Sequence, residues 1–465
     1  MPNSATPACA RHDELMAPGH LGELTWQIPL ELVDAVLAET NTTQQRLRLL
    51  PSRVGVYFVL ALCLFPGLGY QRVWAKLTAS LPRRRLLSGK AFRDLRRRLG
   101  VAPMRALFEA LAGPVGAPHT PGVRFGRLRT VAFDGCVSLK VADTDRNRGW
   151  LGKLKASLGV TGYPVIRLMT VVETGTRALL GAVFGTPGTG EIDYARALLP
   201  LLNADMLVLA DRGFDAEAFL VELAGTGAQF LVRLRSTRRL PVLARLDDGS
   251  YLSRIGALRV RIITADITVT CADGTRYTAA YRLATTLLDP RGYPALRLIA
   301  VYHERWEHEI AYLALRHTLA DGRVLRSTDP AGLEQELWAL LTVYQALRRA
   351  MVAAVESRPG TDPDRASFTT ALETAKDLLL STTHATEDTD LVGRIGQAVL
   401  SHLLPPRRPR TSVRKVKSPL SRYNKKDPYR PESSTPITDI TATITNPDAE
   451  HSTHQPKSLT TALGP

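Results

Sequence analysis

The sequence predicts a mixed α/β core that includes a β-rich block, preceded by a small all-helical region and followed by a basic tail. Three observations carry this expectation. Apolar residues recur at helical spacing through residues 21–112, strand-like runs alternate with helices from about 128 onward, and residues 228–300 switch to β character. The chain's 465 residues suffice for two or three domains with a sizeable core.

Residues 1–20 are mixed and polar and read as disordered, with no apolar stretch of the kind a signal peptide needs. Helical spacing then covers Leu30 to Glu39, Arg53 to Phe65 and Tyr70 to Ser80. A fourth helix spans 89–99, with Ser88 as its N-cap, Gly100 just past its end, and Ala91, Phe92, Leu95 and Leu99 on one apolar face. Arg93, Arg96 and Arg97 project elsewhere, and a basic helix in a small helical domain suits DNA docking. Residues 113–127, rich in Gly and Pro, form a linker.

Within the core, assigned to residues 128–400, Thr130–Phe133 is a short apolar strand leading into Asp134-Gly135. Val165–Val172 and Ala178–Phe184 form a hairpin, and Tyr194–Leu202 is helical. Met206–Ala210 is an unbroken apolar run, as in a strand buried on both faces, and it ends at Asp211. Five further strands are expected at Gln229–Arg235, Arg259–Ile263, Ile267–Cys271, Arg276–Ala284 and Leu296–Val301. Asp329-Pro330 caps a helix running to about Ala354, and Ser367–Leu380 is helical. From 404 to 465 the chain is a basic, then Thr/Pro/Ser-rich tail, expected to be disordered beyond about 430.

The formal net charge of +16 is concentrated in two segments. Residues 83–98 hold eight basic residues against one acid, and residues 407–430 hold ten against one, leaving the rest of the chain neutral. Patches of this kind suit phosphate backbones, whose counterions are released on binding, and a solubilising tail is the plainer reading of the second patch. Cys9, Cys63, Cys136 and Cys271 are dispersed, which argues against a zinc site and a disulfide framework and fits a reducing cytoplasm. The longest apolar run, Val54 to Phe65, is too short to span a bilayer, so no membrane partner is expected.

The stretch Tyr302-His-Glu-Arg305-Trp-Glu-His-Glu309, with Arg316 beyond it, carries the chemistry. On one regular helix Tyr302, Arg305, Glu309 and Arg316 fall within about 60° of each other. Trp306, Ile310 and Leu313 make the adjacent apolar stripe for packing on a sheet, Glu304 and Glu307 face solvent, and His303, His308 and His317 are surface or DNA-facing. An ordinary surface helix with an Arg305–Glu309 ion pair, worth about 0.2–0.5 kcal/mol, fits the same pattern. Asp134, Asp211 and Glu309 are carboxylates of the type that hold Mg²⁺ against a phosphodiester. Only a fold brings them together.

These residues resemble a DDE transposase of a bacterial insertion sequence, in the IS-four family. The resemblance rests on Asp134-Gly135, on Ala210-Asp211-Arg212-Gly213-Phe214, and on the signature Tyr-(2)-Arg-(3)-Glu-(6)-Lys, filled here by Tyr302, Arg305, Glu309 and Arg316. Leu325-Arg326-Ser327 and Gln335-Glu336-Leu337-Trp338 also match. The resemblance implies an RNase H-like core with a β-rich insertion, a catalytic and metal site of Asp134, Asp211 and Glu309 holding two Mg²⁺ (Mn²⁺ as the alternative), and phosphate contacts from Tyr302, Arg305 and Arg316. Its implied partners are double-stranded DNA, both the element's inverted repeats and the target, and a second copy of the chain in a synaptic homodimer, in a cytoplasmic, nucleoid-associated setting. One departure stands out: Arg316 replaces the signature's Lys, exchanging a point charge for a fork. A nuclease without strand transfer and a non-catalytic DNA-binding descendant are the alternative functions.

Overall fold

The computed structural model describes residues 20–46, 50–79, 87–153, 155–156, 159–160, 162–271, 274, 276–380, 392–406 and 437–445. The basic segment 407–430, the start of the other basic segment, and the N-terminal residues 1–19 lie outside them. In chain order the elements are α1 (Leu30–Glu39), α2 (Ser52–Leu64), α3 (Tyr70–Leu77), α4 (Gly89–Leu99), α5 (Ala102–Leu111), β1 (Leu128–Lys140), α6 (Asp145–Leu151), β2 (Val165–Glu173), β3 (Leu179–Gly185), α7 (Glu191–Arg196) and β4 (Met206–Ala210). There follow α8 (Glu217–Gly225), β5 (Gln229–Arg233), β6 (Tyr251–Ile255), β7 (Leu258–Cys271), β8 (Arg276–Thr285), α9 (Ala295–Tyr302), α10 (Trp306–Leu313), α11 (Pro330–Glu356), α12 (Phe368–Leu380), α13 (Gly393–Ser401) and β9 (Ile437–Ile444). The chain divides into two compact units, one of Met1–Leu207 with Glu304–Arg407 and one of Val208–His303 with Arg408–Pro465.

The first unit is built around α2 and α11. Nearly every residue of α2 is buried, because its sequence is apolar all round and must be covered on every side. α1, α4 and α11 supply that cover, so the helices of 21–112 share one hydrophobic core with α11. Phe58 of α2 stacks on Phe92 of α4 at 4.6 Å between ring centres, with Trp74 of α3 at 5.6 Å from Phe92. α11 starts as the sequence indicates: Asp329 Oδ1 accepts the Gly332 N–H at 2.9 Å and Pro330 occupies the first position. Ser88 likewise caps α4, and Gly100 ends it at φ +71°.

Two arginines fasten these helices together. Arg326 donates to the carbonyls of Leu62 (3.0 Å) and Leu68 (2.9 Å), placing a cation at the carbonyl end of α2. Glu336 of α11 accepts the Ser327 N–H (3.0 Å) and hydroxyl (2.6 Å), which holds the turn before α11 in place. Arg96 is buried and donates to Gln335 Oε1 (2.8 Å), Tyr70 Oη (2.7 Å), Ser327 Oγ (2.9 Å) and the Gly332 carbonyl (3.0 Å). The expectation that Arg96 faces DNA is therefore corrected: its guanidinium is consumed as a strut between α4 and α11. Arg93 and Arg97 remain exposed on α4.

The sheet of the first unit is an antiparallel meander. β1 pairs with β2, Asp134 opposite Thr170, and β2 pairs with β3. Within this unit the Arg129 N–H donates to the Asp205 carbonyl (2.7 Å). β1 is far longer than its short apolar run suggests, so Asp134 sits inside a strand and not at its end. α10 lies on β1. Behind it, the buried Arg177 pairs with Glu307 of α10 (2.5 Å) and with Asp364.

In the second unit the hydrogen-bonded order is β4–β5–β8–β7–β6. β7 is one continuous strand where two were expected, and it forms a long antiparallel hairpin with β8. β6 and β9 cover successive halves of one β7 edge, pairing with residues 258–262 and 265–271. Residues 437–444, within the stretch beyond about 430 that was expected to be disordered, form strand β9; residues 431–436 and 446–465 lie outside the described residues. The run 296–301 is part of helix α9, not a strand: Pro294 precedes it, and Leu298, Ile299 and Tyr302 form a buried helical face. Among the described residues no helix is long and apolar enough to cross a membrane.

Replacing Arg177 with Leu strands two buried carboxylates, and unfolding free energy measured by denaturant titration is expected to fall by about 3–5 kcal/mol. A loss no larger than that of an exposed arginine would show that the ion cluster contributes nothing.

Candidate active site

Asp134 enters the site from the middle of β1. Its Oδ1 accepts the N–H of Gly135 (2.9 Å) and its own carbonyl accepts the Tyr312 hydroxyl (2.7 Å). Tyr312 and His308 belong to the buried face of α10, which consists of Glu307, His308, Ala311 and Tyr312. This overturns the face read from the sequence. Trp306 and Ile310 are half-buried, Leu313 is exposed, and Glu307 and His308, expected outside, are inside. The polar groups can be buried because each finds a partner: Glu307 takes Arg177, and His308 Nε2 lies 3.2 Å from the Thr170 carbonyl and 2.9 Å from its hydroxyl.

His308 Nδ1 faces Asp134 Oδ2 at 3.7 Å and has no hydrogen-bond partner among the described residues. A carbonyl oxygen only accepts, so the ring hydrogen is on Nε2 and Nδ1 is bare. Burial is the main cause that lowers the His308 pKa to about 3, so the ring is neutral at physiological pH. Burial, with Asp134 next, likewise holds the Tyr312 phenol well above its ordinary value. Glu309 follows His308 in α10, half-buried, with Arg305 Nη2 3.9 Å from its Oε1. β1 and α10 thus carry Asp134 and Glu309 on packed elements of one unit.

A further carboxylate, not singled out from the sequence, stands here. A Cβ on Gly135 would lie 2.1 Å from Glu191 Oε1, so the glycine after Asp134 admits Glu191 from the first turn of α7. The charge of Glu191 also contributes to the raised Tyr312 pKa. The sequence reading began this helix at Tyr194 and so left Glu191 outside it.

Asp211 ends β4 in the second unit. Its Oδ1 accepts the Gly213 N–H (2.7 Å), capping the turn Arg212–Phe214. The buried Tyr302 donates its hydroxyl to the carbonyl of Ala210 (3.2 Å), and Tyr281 meets its ring edge-on at 6.2 Å. The signature segment is not one regular helix: α9 ends at Tyr302, His303–Arg305 form a 3₁₀ turn, and Arg316 lies in the π-helical turn Ala314–Leu319. Each change of pitch breaks the 100° step, so the common face of Tyr302, Arg305, Glu309 and Arg316 does not follow. Arg305 is buried beside the Trp306 ring, and Arg316 Nε lies 2.8 Å from His317 Nε2.

Among the described residues, no three His, Cys, Asp or Glu side chains converge closely enough to hold a metal ion. Asp134 and Glu309 offer carboxylate oxygens, the donor type a hard divalent cation takes, and a buried imidazole nitrogen faces Asp134 Oδ2.

Comparison with known proteins shows what the chain is similar to. The model of the insertion element 4 transposase N-terminal region matches residues 18–109, and that of the transposase DDE domain matches residues 131–346. The chain is 26% identical over 368 residues to the transposase InsG for insertion sequence element IS4 of Escherichia coli (strain K12), covering 77% of this chain and 82% of that protein. It is 29% identical over 143 residues to the putative transposase InsZ of the same organism, spanning 30% of this chain and about half (48%) of that protein. Among solved structures, a piggyBac transposase synaptic complex with hairpin DNA aligns at a TM-score of 0.39 and 12% identity, over 86% of this chain and 87% of that one.

The buried imidazole makes stability depend on pH. Above pH 6.5 neither the folded nor the unfolded chain protonates His308; as pH falls from there towards 3, the unfolded chain takes a proton that the folded chain refuses. Stability then falls by up to about 1.4 kcal/mol per pH unit. Urea unfolding of the wild type and of His308→Gln between pH 6.5 and about pH 5 is expected to show a shallower slope in the variant, by about one proton. Equal slopes would mean that the ring protonates in place.

Proposed function

We propose, for a chain that belongs to the insertion element 4 family of DDE transposases and works as a DNA-transposing enzyme, that Asp134, Asp211 and Glu309 are the carboxylates that cut its element's ends and join them to target DNA. The transposase DDE domain works with divalent metal ions; for this chain the reading is two Mg²⁺, with Mn²⁺ as a substitute. Bound by these carboxylates, the ions would supply Lewis-acid activation of the attacking oxygen and charge stabilisation of the leaving one.

The observation that supports this most is the docking of α10 on β1, which brings Glu309's helix against Asp134 across a long sequence separation. Asp211 is held at a strand end by its own cap, a position where α/β proteins commonly present ligand groups. The reading requires all three carboxylates to act on one phosphodiester. In the first displacement a water oxygen would attack the phosphorus and the 3′ oxygen would leave with a proton; in the second that freed 3′-OH would lose its proton and attack a phosphorus of the target strand, whose own bridging 3′ oxygen leaves and takes up a proton. Both are in-line, so one set of carboxylates serves both. Arg316, and with rearrangement Arg305 and Tyr302, would orient the phosphates of the element's end. Exposed Arg93 and Arg97 on α4 would meet the duplex backbone within the inverted repeats. Pairing two ends calls for a homodimer on DNA.

Glu309→Gln keeps the shape of the side chain and removes its charge. DNA binding by gel shift is expected to persist while cleavage of a duplex carrying the inverted repeats falls by about 10³-fold, or ~4 kcal/mol of barrier. Cleavage at the wild-type rate would remove Glu309 from the site. Arg93→Ala and Arg97→Ala are each expected to weaken binding evenly across sequences and to reduce the salt-dependence slope by about 0.9. Arg96→Ala, in contrast, is expected to lower the unfolding midpoint; a selective loss of DNA affinity in that variant would contradict the strut.

A further inference from the structure

We propose that Tyr312, seated on Thr170 and His308, is a positioning residue that fixes Asp134 for divalent-metal binding; the inference rests on the reading of Asp134 as a metal ligand. A chain of donors runs from α10 into the sheet. His308 Nε2 meets Thr170, the residue opposite Asp134 across β1 and β2. The Thr170 hydroxyl donates to the Tyr312 oxygen (3.2 Å), and the Tyr312 hydroxyl donates to the Asp134 carbonyl (2.7 Å), with the Leu168 carbonyl at 3.3 Å. One phenol thereby grips the backbone of both strands at the level of Asp134. The His308 ring packs edge-on against it at 4.6 Å, so neither ring turns without the other.

The orphaned nitrogen gives this cluster a direction. Fully buried, bare and without a hydrogen-bond partner among the described residues, His308 Nδ1 points at Asp134 Oδ2 from 3.7 Å. Two acceptors facing each other repel, here a fully buried nitrogen and a carboxylate 18% exposed, and a cation that draws off the carboxylate's charge relieves the repulsion. Tyr312 lies three residues beyond Glu309 in the same helix, so the grip on Asp134 also sets that carboxylate's distance from Glu309. Groups that orient metal ligands from behind typically govern metal affinity by about 10–100-fold.

The test uses the full-length protein and Mn²⁺ as the probe, with free Mn²⁺ read by electron paramagnetic resonance. Tyr312→Phe removes one oxygen. It is expected to weaken Mn²⁺ binding about 10-fold or more. The Mn²⁺ concentration for half-maximal cleavage of inverted-repeat DNA is expected to rise by the same factor, with the maximal rate regained at saturating Mn²⁺. A residue important only for folding would lower the maximal rate at every metal concentration, and that result overturns the proposal. So does wild-type Mn²⁺ affinity in Tyr312→Phe while Asp134→Asn loses binding. Wild-type affinity in Asp134→Asn instead removes Asp134 as a ligand and takes the inference with it, a failure of the underlying reading that the other variant cannot mimic. Should near-ultraviolet circular dichroism show Tyr312→Phe to be misfolded, Thr170→Val takes its place, with the same expected loss and the same overturning result.

Discussion

The seating of α10 on β1 is the interaction on which the site depends. It is made by polar side chains in a buried face, where an unmet group costs more than a met one contributes. Glu307 finds Arg177, His308 finds Thr170, and Tyr312 finds the Asp134 carbonyl. A purely apolar face can slide by a turn at modest cost; this one cannot, because every shift would orphan several partners together. The register of Glu309 against Asp134 follows from that constraint.

A second polar framework holds the helical region in place. Arg96 reaches from α4 into the start of α11, and Arg326 closes the end of α2 while Glu336 receives the backbone before α11. Because Arg96 is spent inward, the neighbouring Arg93 and Arg97 are held outward on a helix whose apolar face is pinned. The motifs Leu325-Arg326-Ser327 and Gln335-Glu336-Leu337-Trp338 therefore have a structural reason to exist: Arg326, Ser327, Gln335 and Glu336 join helices.

Much of the fold was legible because local signals agreed with global burial. α1, α4, β4 and α11 begin and end close to where caps, prolines, glycines and apolar runs place them. Of the candidate site, the elements that carry its carboxylates were legible: Asp134 and Asp211 on or at the end of strands, Glu309 on a helix. Three things were hidden, each for a physical reason. Hydropathy assigned the wrong inner face to α10, since a buried Glu or His is invisible until its partner, far away in sequence, is known. Uniform helical spacing failed across Tyr302 to Arg316 because the pitch changes twice. The approach of Glu191 to Gly135 and the addition of β9 to β7 are long-range pairings with no local signature.

The most direct measurement of the central claim, that Asp134, Asp211 and Glu309 bind one divalent-metal centre, is to replace Mg²⁺ with Fe²⁺ in the DNA complex. Ascorbate and peroxide would then generate hydroxyl radicals at the metal. The account predicts backbone scission in three places, flanking residues 134, 211 and 309, suppressed by excess Mg²⁺. Scission beside other carboxylates, with these three stretches intact, would contradict it.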